Sequence, residues 1–231
     1  MNAKIVPPTV ALLLSMLPCC AQSSFVNLDF EAAAPFVPDV PPNQAGADVL
    51  STDGVPGWTT YIGGVQVATI RHNAQALDAA DIALFGPFFN PPAILQGSYS
   101  VFISSSSPLL PPATAAIAQT GQIPSAAKSL TLWLRPQAGQ TIDITFAGNS
   151  IPISLIGTGS NYNIWGGDVA ALAGMSGELR IFSRPNADAI IDNILFSATT
   201  IPEPRSVRLL ATGAALLCLS RLRRRREAKA S

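Results

Sequence analysis

Side chains able to carry out catalysis are few in this 231-residue chain. His72 is the only histidine, and its neighbours favour a solvated loop. No Gly-x-Ser-x-Gly turn supplies a nucleophile, and one histidine leaves too few nitrogen ligands for a three-ligand zinc site. Glycoside hydrolysis needs two opposed carboxylates, whereas the acids are scattered, with Asp78 and Asp81 three apart in a stretch without a clear element. The sequence therefore predicts no catalytic residues and no enzyme.

Aromatic side chains beside polar ones suggest sugar binding instead, because aromatic faces stack on sugar rings while polar neighbours orient them. Two pairs could provide such faces: Trp58 with Tyr61, and Tyr162 with Trp165. Asn161, Asn163 and Asp168 lie near the second pair. The alternative for Trp58, which follows Gly57, is an ordinary core tryptophan. These residues raise the hypothesis of a carbohydrate-binding module that recognises an extracellular polysaccharide.

Charge and cysteine content exclude several classes of function. Between Gln22 and Glu203 there are thirteen acidic and five basic side chains, a net charge of −8. Such a surface repels nucleic acid, whose binding depends on neutralising phosphates. All three cysteines, Cys19, Cys20 and Cys218, lie near the termini. A domain processed at both ends would therefore have no disulfide, no thiolate and no cysteine ligand.

The elements that must position any site are predicted to be short strands. Leu130, Leu132 and Leu134 alternate with polar or aromatic neighbours, a period of two that indicates a half-buried strand. Further strands are predicted at 25–30, 67–70, 82–85, 99–103, 114–119, 142–146, 151–155, 162–168, 178–182 and 189–196, with a short helical turn within 168–175. Pro152 marks an edge strand or a bulge. The predicted core is Leu28, Phe30, Val101, Ile103, Leu130, Leu132, Leu134, Ile142, Ile144, Phe146, Leu179, Ile181, Ile194 and Phe196. This pattern predicts an all-β fold, an antiparallel β-sandwich, over residues 25–198.

The N-terminus reads as a signal peptide over residues 1–21, which would form the signal helix. Lys4 gives a positive start, residues 10–17 form a short apolar run, and small residues precede a cut after Ala21. A lipoprotein signal, with Cys19 or Cys20 near the cut, and a buried helix are the alternatives. The expected route is export through the Sec pathway.

The C-terminus combines a proline-stiffened linker, an apolar run and a basic end. Residues 199–206 form the linker, 207–222 a single transmembrane helix and 223–231 a basic cytoplasmic tail. The helix would be about 24 Å long, short of the hydrocarbon core of about 30 Å, which arginines at its ends could help to bridge. The arginines after the run favour a cytoplasmic end. An ordinary membrane anchor is the simpler interpretation.

This tail resembles the PEP-CTERM sorting signal of Gram-negative bacteria, which is also described as the C-terminal domain of ice-binding proteins. The matching residues are Pro202, Glu203, Pro204, Arg223, Arg224, Arg225 and Arg226. The resemblance implies an exosortase as partner, transient residence in the inner membrane, and delivery to the cell envelope, the outer surface or the extracellular matrix. No regular threonine array supports ice binding.

Landmarks in the central part resemble exported jelly-roll domains of the galactose-binding-like type. They are the Asn27–Glu31 start, Gly57-Trp58, Gly97–Val101, Ile117-Ala118-Gln119 and the Ile191–Ile194 end. In such domains, acids on the first and last strands can share a structural calcium ion, and Glu31 and Asp192 occupy those positions. The resemblance therefore implies a jelly roll and offers calcium as a cofactor.

Together these features predict an exported, non-enzymatic surface or matrix protein that an exosortase sorts. The alternative is the carbohydrate-binding module described above. An enzyme is the third and least favoured hypothesis.

Overall fold

A computed structural model describes residues 24–34, 46–76, 78–87, 89, 93–106, 113–136 and 142–201. These residues form short strands with very little helix. Its strands are β1 (Asp48–Leu50), β2 (Thr59–Ile62), β3 (Val65–Val67), β4 (Thr69–His72), β5 (Asp81–Phe85), β6 (Ser100–Ser104), β7 (Ala115–Gln122), β8 (Ser129–Pro136), β9 (Ile142–Phe146), β10 (Asn149–Ser150), β11 (Ser154–Thr158), β12 (Asn163–Asp168), β13 (Ser176–Ser183) and β14 (Asp188–Ser197). The helices are α1 (Ser51–Gly54) and a 3₁₀ turn over Ala170–Leu172.

Two sheets make up the sandwich. The eight-stranded sheet has the order β1-β4-β5-β6-β14-β8-β12-β11, and the six-stranded sheet has the order β10-β9-β13-β7-β2-β3. From β6 to β14 the chain passes repeatedly from one sheet to the other, the winding of a jelly roll. The strands pair antiparallel except for β4 with β5, which is parallel. The predicted antiparallel sandwich is therefore confirmed with one local exception.

The core between the sheets follows from the alternation within the strands. Every second side chain of a strand points to the same face, and the inward side chains of both sheets form one apolar cluster. Twelve of the fourteen predicted core residues are buried, while Leu28 and Phe196 are partly buried against them. The apolar period of two thus identified a large part of the core, while further core residues such as Ile82, Leu84 and Ile117 were not predicted.

The predicted first strand, residues 25–30, is wrong. This segment forms one isolated bridge, Ser24 with Gln122, followed by turns, and Asn27 and Phe30 have positive φ angles of 50° and 58°. The side chain of Gln119 replaces a strand ladder here: its Oε1 accepts from the Val26 N–H at 2.6 Å and its Nε2 donates to the Val26 carbonyl at 3.0 Å. The side chain of Gln119 therefore fixes this segment by hydrogen bonds, where pairing with a neighbouring strand was expected.

The other strand predictions agree with the structure to within a few residues, and the 3₁₀ turn lies within the predicted 168–175. The run at 67–70 is divided between β3 and β4, and β1, β2 and β10 were not predicted. β11 is the edge strand expected near Pro152, and its register shifts between Leu155 and Gly157. Strands of two to four residues are too short to show a period from which to predict them.

Both targeting predictions fall on residues that the structure does not describe. The signal peptide at 1–21, the Pro202–Pro204 motif, the membrane helix at 207–222 and the basic tail at 223–231 lie outside the described ranges. Within those ranges, no helix has the length and hydropathy that crossing a membrane requires.

Candidate functional site

The outer face of the eight-stranded sheet carries a second apolar cluster, separate from the core. Phe85, Phe102 and Ile190 point away from the core, yet at most 2% of each is exposed. The connection between β5 and β6 covers them, because it brings Ala93 and Leu95 onto this face. The Phe85 ring also stacks on Phe89 and Phe102, with centroid distances of 3.9 and 5.3 Å. This cluster gives the outer face a rigid base.

Trp133 and Tyr162 extend that cluster toward β12. Their rings stack with centroids 3.9 Å apart and an interplanar angle of 7°. The backbone of Gly159 also lies against the Tyr162 ring. Glycine has no Cβ, and a Cβ placed at Gly159 would come within 2.3–2.6 Å of three carbons of that ring. The indole and Gly159 cannot occupy the same face of the ring, so both faces of Tyr162 are covered.

A shallow depression of about 240 Å³ lies beside this stack. It is lined by residues 159–163 together with Leu134 and Arg135. Two hydrogen bonds fix the loop: the Gly159 N–H donates to the Tyr162 carbonyl at 2.8 Å, and Asn161 Nδ2 donates to the Ile94 carbonyl at 2.9 Å. The lining therefore presents the amide and hydroxyl groups of a hydrogen-bonded loop beside the guanidinium of Arg135, which lies on β8.

Arg135 contributes the charge of the depression. It belongs to the outward series of β8 and is paired in register with Ile190 of β14. Burial lowers the pKa of Arg135, which remains a cation at every physiological pH. A partly desolvated guanidinium interacts more strongly with an anion than one in bulk water.

The predicted pair of Trp58 and Tyr61 does not form one surface. Trp58 is 4% exposed within the core, and its Nε1–H donates to the Asn27 carbonyl at 2.9 Å. Tyr61 lies on the outer face of the six-stranded sheet, where the Arg180 guanidinium sits 4.2 Å from its ring centroid. Trp58 is thus the core tryptophan of the alternative interpretation.

The second predicted pair is also divided, because Tyr162 and Trp165 point to opposite faces of β12. Trp165 is paired with Leu132 and packs against the core, where its buried Nε1–H has no partner. The aromatic partner of Tyr162 is instead Trp133, which the sequence analysis missed. The sequence does contain a signal for this residue. Trp133 alternates with the inward leucines of β8, which places Trp133 on the outer face. Asp168, near this pair in sequence, accepts the Ala170 N–H at 2.8 Å, at the start of the 3₁₀ turn.

Glu31 and Asp192 approach the same loop, as the calcium prediction requires. Glu31 Oε1 accepts the N–H groups of Ser98 and Tyr99 at 2.8 and 3.1 Å. Asp192 Oδ2 accepts the Ser100 hydroxyl at 2.7 Å and the Gln96 N–H at 3.0 Å. Both acids therefore contact one short segment, between residues 96 and 100.

Asp192 is the most strongly perturbed of these acids. It is 1% exposed, and burial raises its pKa from 3.8 to about 6. Hydrogen bonds from Ser100, Asn193 and Gln96 act in the opposite direction, while the negative charge of Glu31 adds to the rise. The carboxylate is thus held by donors in a site that disfavours its charge.

The fit of this site to calcium is partial. Two adjacent carboxylates supply oxygen ligands of the kind that Ca²⁺ prefers. However, the segment around Ser98 turns its N–H groups toward them, so both anions already have donors. Across the described ranges, no group of three or more His, Cys, Asp or Glu side chains could hold a metal. Calcium at Glu31 and Asp192 stays a prediction.

Three residues were considered for catalysis from the sequence, His72, Asp78 and Asp81, and the structure shows the surroundings of each. His72 is not a solvated loop residue: it ends β4, is 6% exposed, and its Nε2 has no hydrogen-bond partner. Burial lowers its pKa. Asp81 is buried, accepts the Ala76 N–H at 2.6 Å and pairs with Arg71 at 3.3 Å, while burial raises its pKa. Asp78 lies in a turn with φ of 65°. None of the three lines the depression.

No protein-family model and no curated protein matches the sequence. Among solved structures, the family 11 carbohydrate-binding module from Clostridium thermocellum, in complex with a β-1,3-1,4-mixed-linked tetrasaccharide, is 10% identical over 69% of this chain and 100% of the module, with a TM-score of 0.36. The family 11 module of a cellulosomal cellulase from the same organism gives 10% identity, 70% and 100% coverage, and a TM-score of 0.36.

The enzymatically active domain of tailspike protein 4 from bacteriophage CBA120 is 18% identical over 68% of this chain, with a TM-score of 0.35. This chain spans about a fifth of that domain's length, 22%. These identities and TM-scores are too low to assign a family or a ligand.

Proposed function

We propose that the sandwich is a non-enzymatic carbohydrate-binding domain and that its site is the depression beside Tyr162. One observation carries the proposal: the Trp133–Tyr162 stack and the Asn161 hydrogen bond hold a loop of polar side chains around an open cavity. Ligand sites combine an apolar support with a few fixed polar groups that set orientation. Amides, hydroxyls and a guanidinium are donors and acceptors suited to sugar hydroxyls.

The acids of the described residues support binding rather than hydrolysis at this site. The depression has no carboxylate among its described lining residues. Asp81 and Asp192 are each committed to hydrogen bonds within the fold. A pair of carboxylates on opposite sides of a bound sugar, as glycosidases use, is therefore not part of the proposal.

The test is retention of the full-length chain on immobilised polysaccharides, neutral and acidic. Tyr162→Ala removes the ring that orders the loop, and Asn161→Ala removes the lining amide that donates to the Ile94 carbonyl. Both should weaken retention at least tenfold, while Tyr61→Ala, on the opposite sheet, serves as the matched control and should not. Thermal melting of each variant checks the fold. Equal retention by all four proteins would place the ligand elsewhere and refute this site.

We also propose that the chain is exported and then sorted through its C-terminus. The supporting observation is the order of Pro202, Glu203 and Pro204, a short apolar run and four consecutive arginines. Under this proposal an exosortase cleaves near the triplet, and the sandwich reaches the cell envelope or the extracellular matrix.

Intact mass in hosts with and without an exosortase tests the sorting proposal. The expected product in the first host begins near Gln22 and ends near Pro202–Pro204. A product that keeps the same full-length tail in both hosts would show an ordinary anchor instead.

A further inference from the structure

Residues 24–26 lie at one end of the sandwich, beside the last four residues of β7. β2 pairs with β7 along residues 115–118, and residues 24–26 continue beside residues 119–122. Their only bridge of the β type is the parallel one between Ser24 and Gln122. The segment therefore extends the position of β2 without being a strand itself.

Side chains and glycines shape this end of β7 for the segment. The Gln119 side chain binds both main-chain groups of Val26, accepting its N–H at 2.6 Å and donating to its carbonyl at 3.0 Å. Gly57, with a φ of 84°, makes room for Val26, because a Cβ at Gly57 would come within 2.5 Å of Val26 Cγ2. The main chain at Val26 is thus held in one place by a side chain from another part of the fold.

Phe25 connects the two sheets at this end. Its ring stacks on Phe196 of β14, with centroids 5.4 Å apart, and meets Phe146 of β9 edge-on at 6.5 Å. Gly121 of β7 makes room for the ring, since a Cβ there would come within 2.8–3.0 Å of three ring carbons. Because β14 and β9 belong to different sheets, one side chain near the start of the domain packs on both.

We infer that residues 24–26 form a latch that closes last in folding and opens first in unfolding, and that the latch sets the lifetime of the folded sandwich. Val26 and Gln119 are 93 positions apart, and the aromatic partners of Phe25 lie later still. Contacts of such separation become favourable only after the chain between them has folded. A segment held by one bridge and one side chain also opens more easily than a strand with a full ladder.

The latch gives the domain kinetic stability. Interactions that are absent from the folding transition state slow unfolding and leave the folding rate unchanged. For a domain that is proposed to work outside the cell, the useful stability is the rate at which it unfolds and becomes open to proteases. This inference goes beyond the proposed carbohydrate function and does not depend on it.

Phe25→Ala in the full-length chain tests the latch by loosening it. Unfolding after a jump into urea should be roughly tenfold faster or more, while refolding should stay within about twofold of the wild-type rate. Trp58 fluorescence reports on this region, because its Nε1–H donates to the carbonyl of Asn27, next to the latch. Phe182→Ala is the matched control: Phe182 is also partly buried, but it lies on β13, which pairs on both sides. That variant should slow refolding as well.

A disulfide tests the latch in the opposite direction. Bridged residues such as Ser24 and Gln122 have the Cα separation that a disulfide requires. The variant Ser24→Cys with Gln122→Cys, in a chain whose native cysteines are changed to serine, should unfold roughly tenfold more slowly when oxidised than when reduced. A control disulfide across the β9–β10 hairpin, Thr145→Cys with Ser150→Cys, should leave the unfolding rate within about twofold.

Two results would overturn the inference. One is a Phe25→Ala protein whose refolding rate falls by as much as its unfolding rate rises, because the latch would then already be closed in the transition state. The other is an oxidised Ser24–Gln122 disulfide that leaves unfolding as fast as in the reduced protein. If Phe25→Ala does not fold, the disulfide decides, since it removes none of the packing around Phe25. None of these rates involves a polysaccharide, so failure of the latch and failure of the proposed binding site are separate results.

Discussion

Asp192 makes the stability of the sandwich depend on pH in the direction opposite to that of most carboxylates. Its side chain is 1% exposed, with Ser100 and Gln96 donating to one oxygen and Asn193 to the other. The pKa of Asp192 nevertheless rises from 3.8 to about 6, because burial outweighs these hydrogen bonds. The folded protein therefore holds a proton here more tightly than the unfolded chain does.

The sign and size of the effect follow from proton linkage. A raised carboxyl pKa contributes stability that is fully present below pH 3.8 and is lost as the pH rises through about 6. The difference between the two pKa values corresponds to about 3 kcal/mol of unfolding free energy. Asp192→Asn removes this titration but leaves one of the N–H donors without its acceptor, at a cost of about 1–3 kcal/mol that does not vary with pH.

The assay is urea unfolding of wild type and Asp192→Asn at intervals between pH 3.5 and 7.5. The wild type should lose about 3 kcal/mol relative to the variant across this range. Asp81 and Asp188, whose pKa values burial also raises, and His72, whose pKa burial lowers, titrate in both proteins and cancel in the difference. A difference in unfolding free energy that stays constant with pH would refute the reasoning.

The same unfolding experiment, repeated with added calcium, tests the calcium prediction. A cation bound by Glu31 and Asp192 favours the ionised carboxylates, so saturating calcium should stabilise the wild type at pH 7 and offset the stability that the wild type loses between pH 3.8 and about 6. Glu31→Gln should abolish the calcium effect while keeping much of the pH dependence. If calcium changes neither quantity, the calcium prediction fails and the linkage of Asp192 stands.

Further predictions concern packing and the second buried titratable group. Gly159→Ala should cost about 1–3 kcal/mol in urea unfolding and weaken polysaccharide retention, because its Cβ collides with the Tyr162 ring, whereas Gly157→Ala in the same hairpin meets its nearest side chain at 3.4 Å and should be tolerated. Trp58→Ala should cost about 3–5 kcal/mol without changing the affinity of the folded fraction for polysaccharide, which a selective loss of binding would contradict. His72→Leu should reduce the loss of stability on acidification from pH 7 to 5, since burial opposes protonation of the imidazole, and an unchanged slope would show that His72 does not titrate in this range.

Much of the fold could be predicted from the chain because alternation is a local property. Leu130, Leu132 and Leu134 show the inward face of β8 without any knowledge of its neighbours, and the same period places Trp133 outward. β1 and β2 were missed because they have only three and four residues, too few to show a period, so their extended conformation depends on pairing with other strands. The N-terminal segment was predicted as a strand because its pattern could not reveal the two hydrogen bonds between Val26 and the side chain of Gln119.

By itself the sequence determined the sandwich, many of its core residues, and the features of both termini on which the export proposal rests. Tertiary structure alone decided which aromatic rings meet. Tyr162 and Trp165 are three residues apart, yet opposite faces of one strand separate them, while strand pairing brings Tyr162 onto Trp133, twenty-nine residues earlier in the chain. Only the fold places Arg135 beside that stack and brings Glu31 and Asp192 to a shared loop. Spacing along a chain fixes the face on which a side chain lies, but register between distant strands fixes its neighbours.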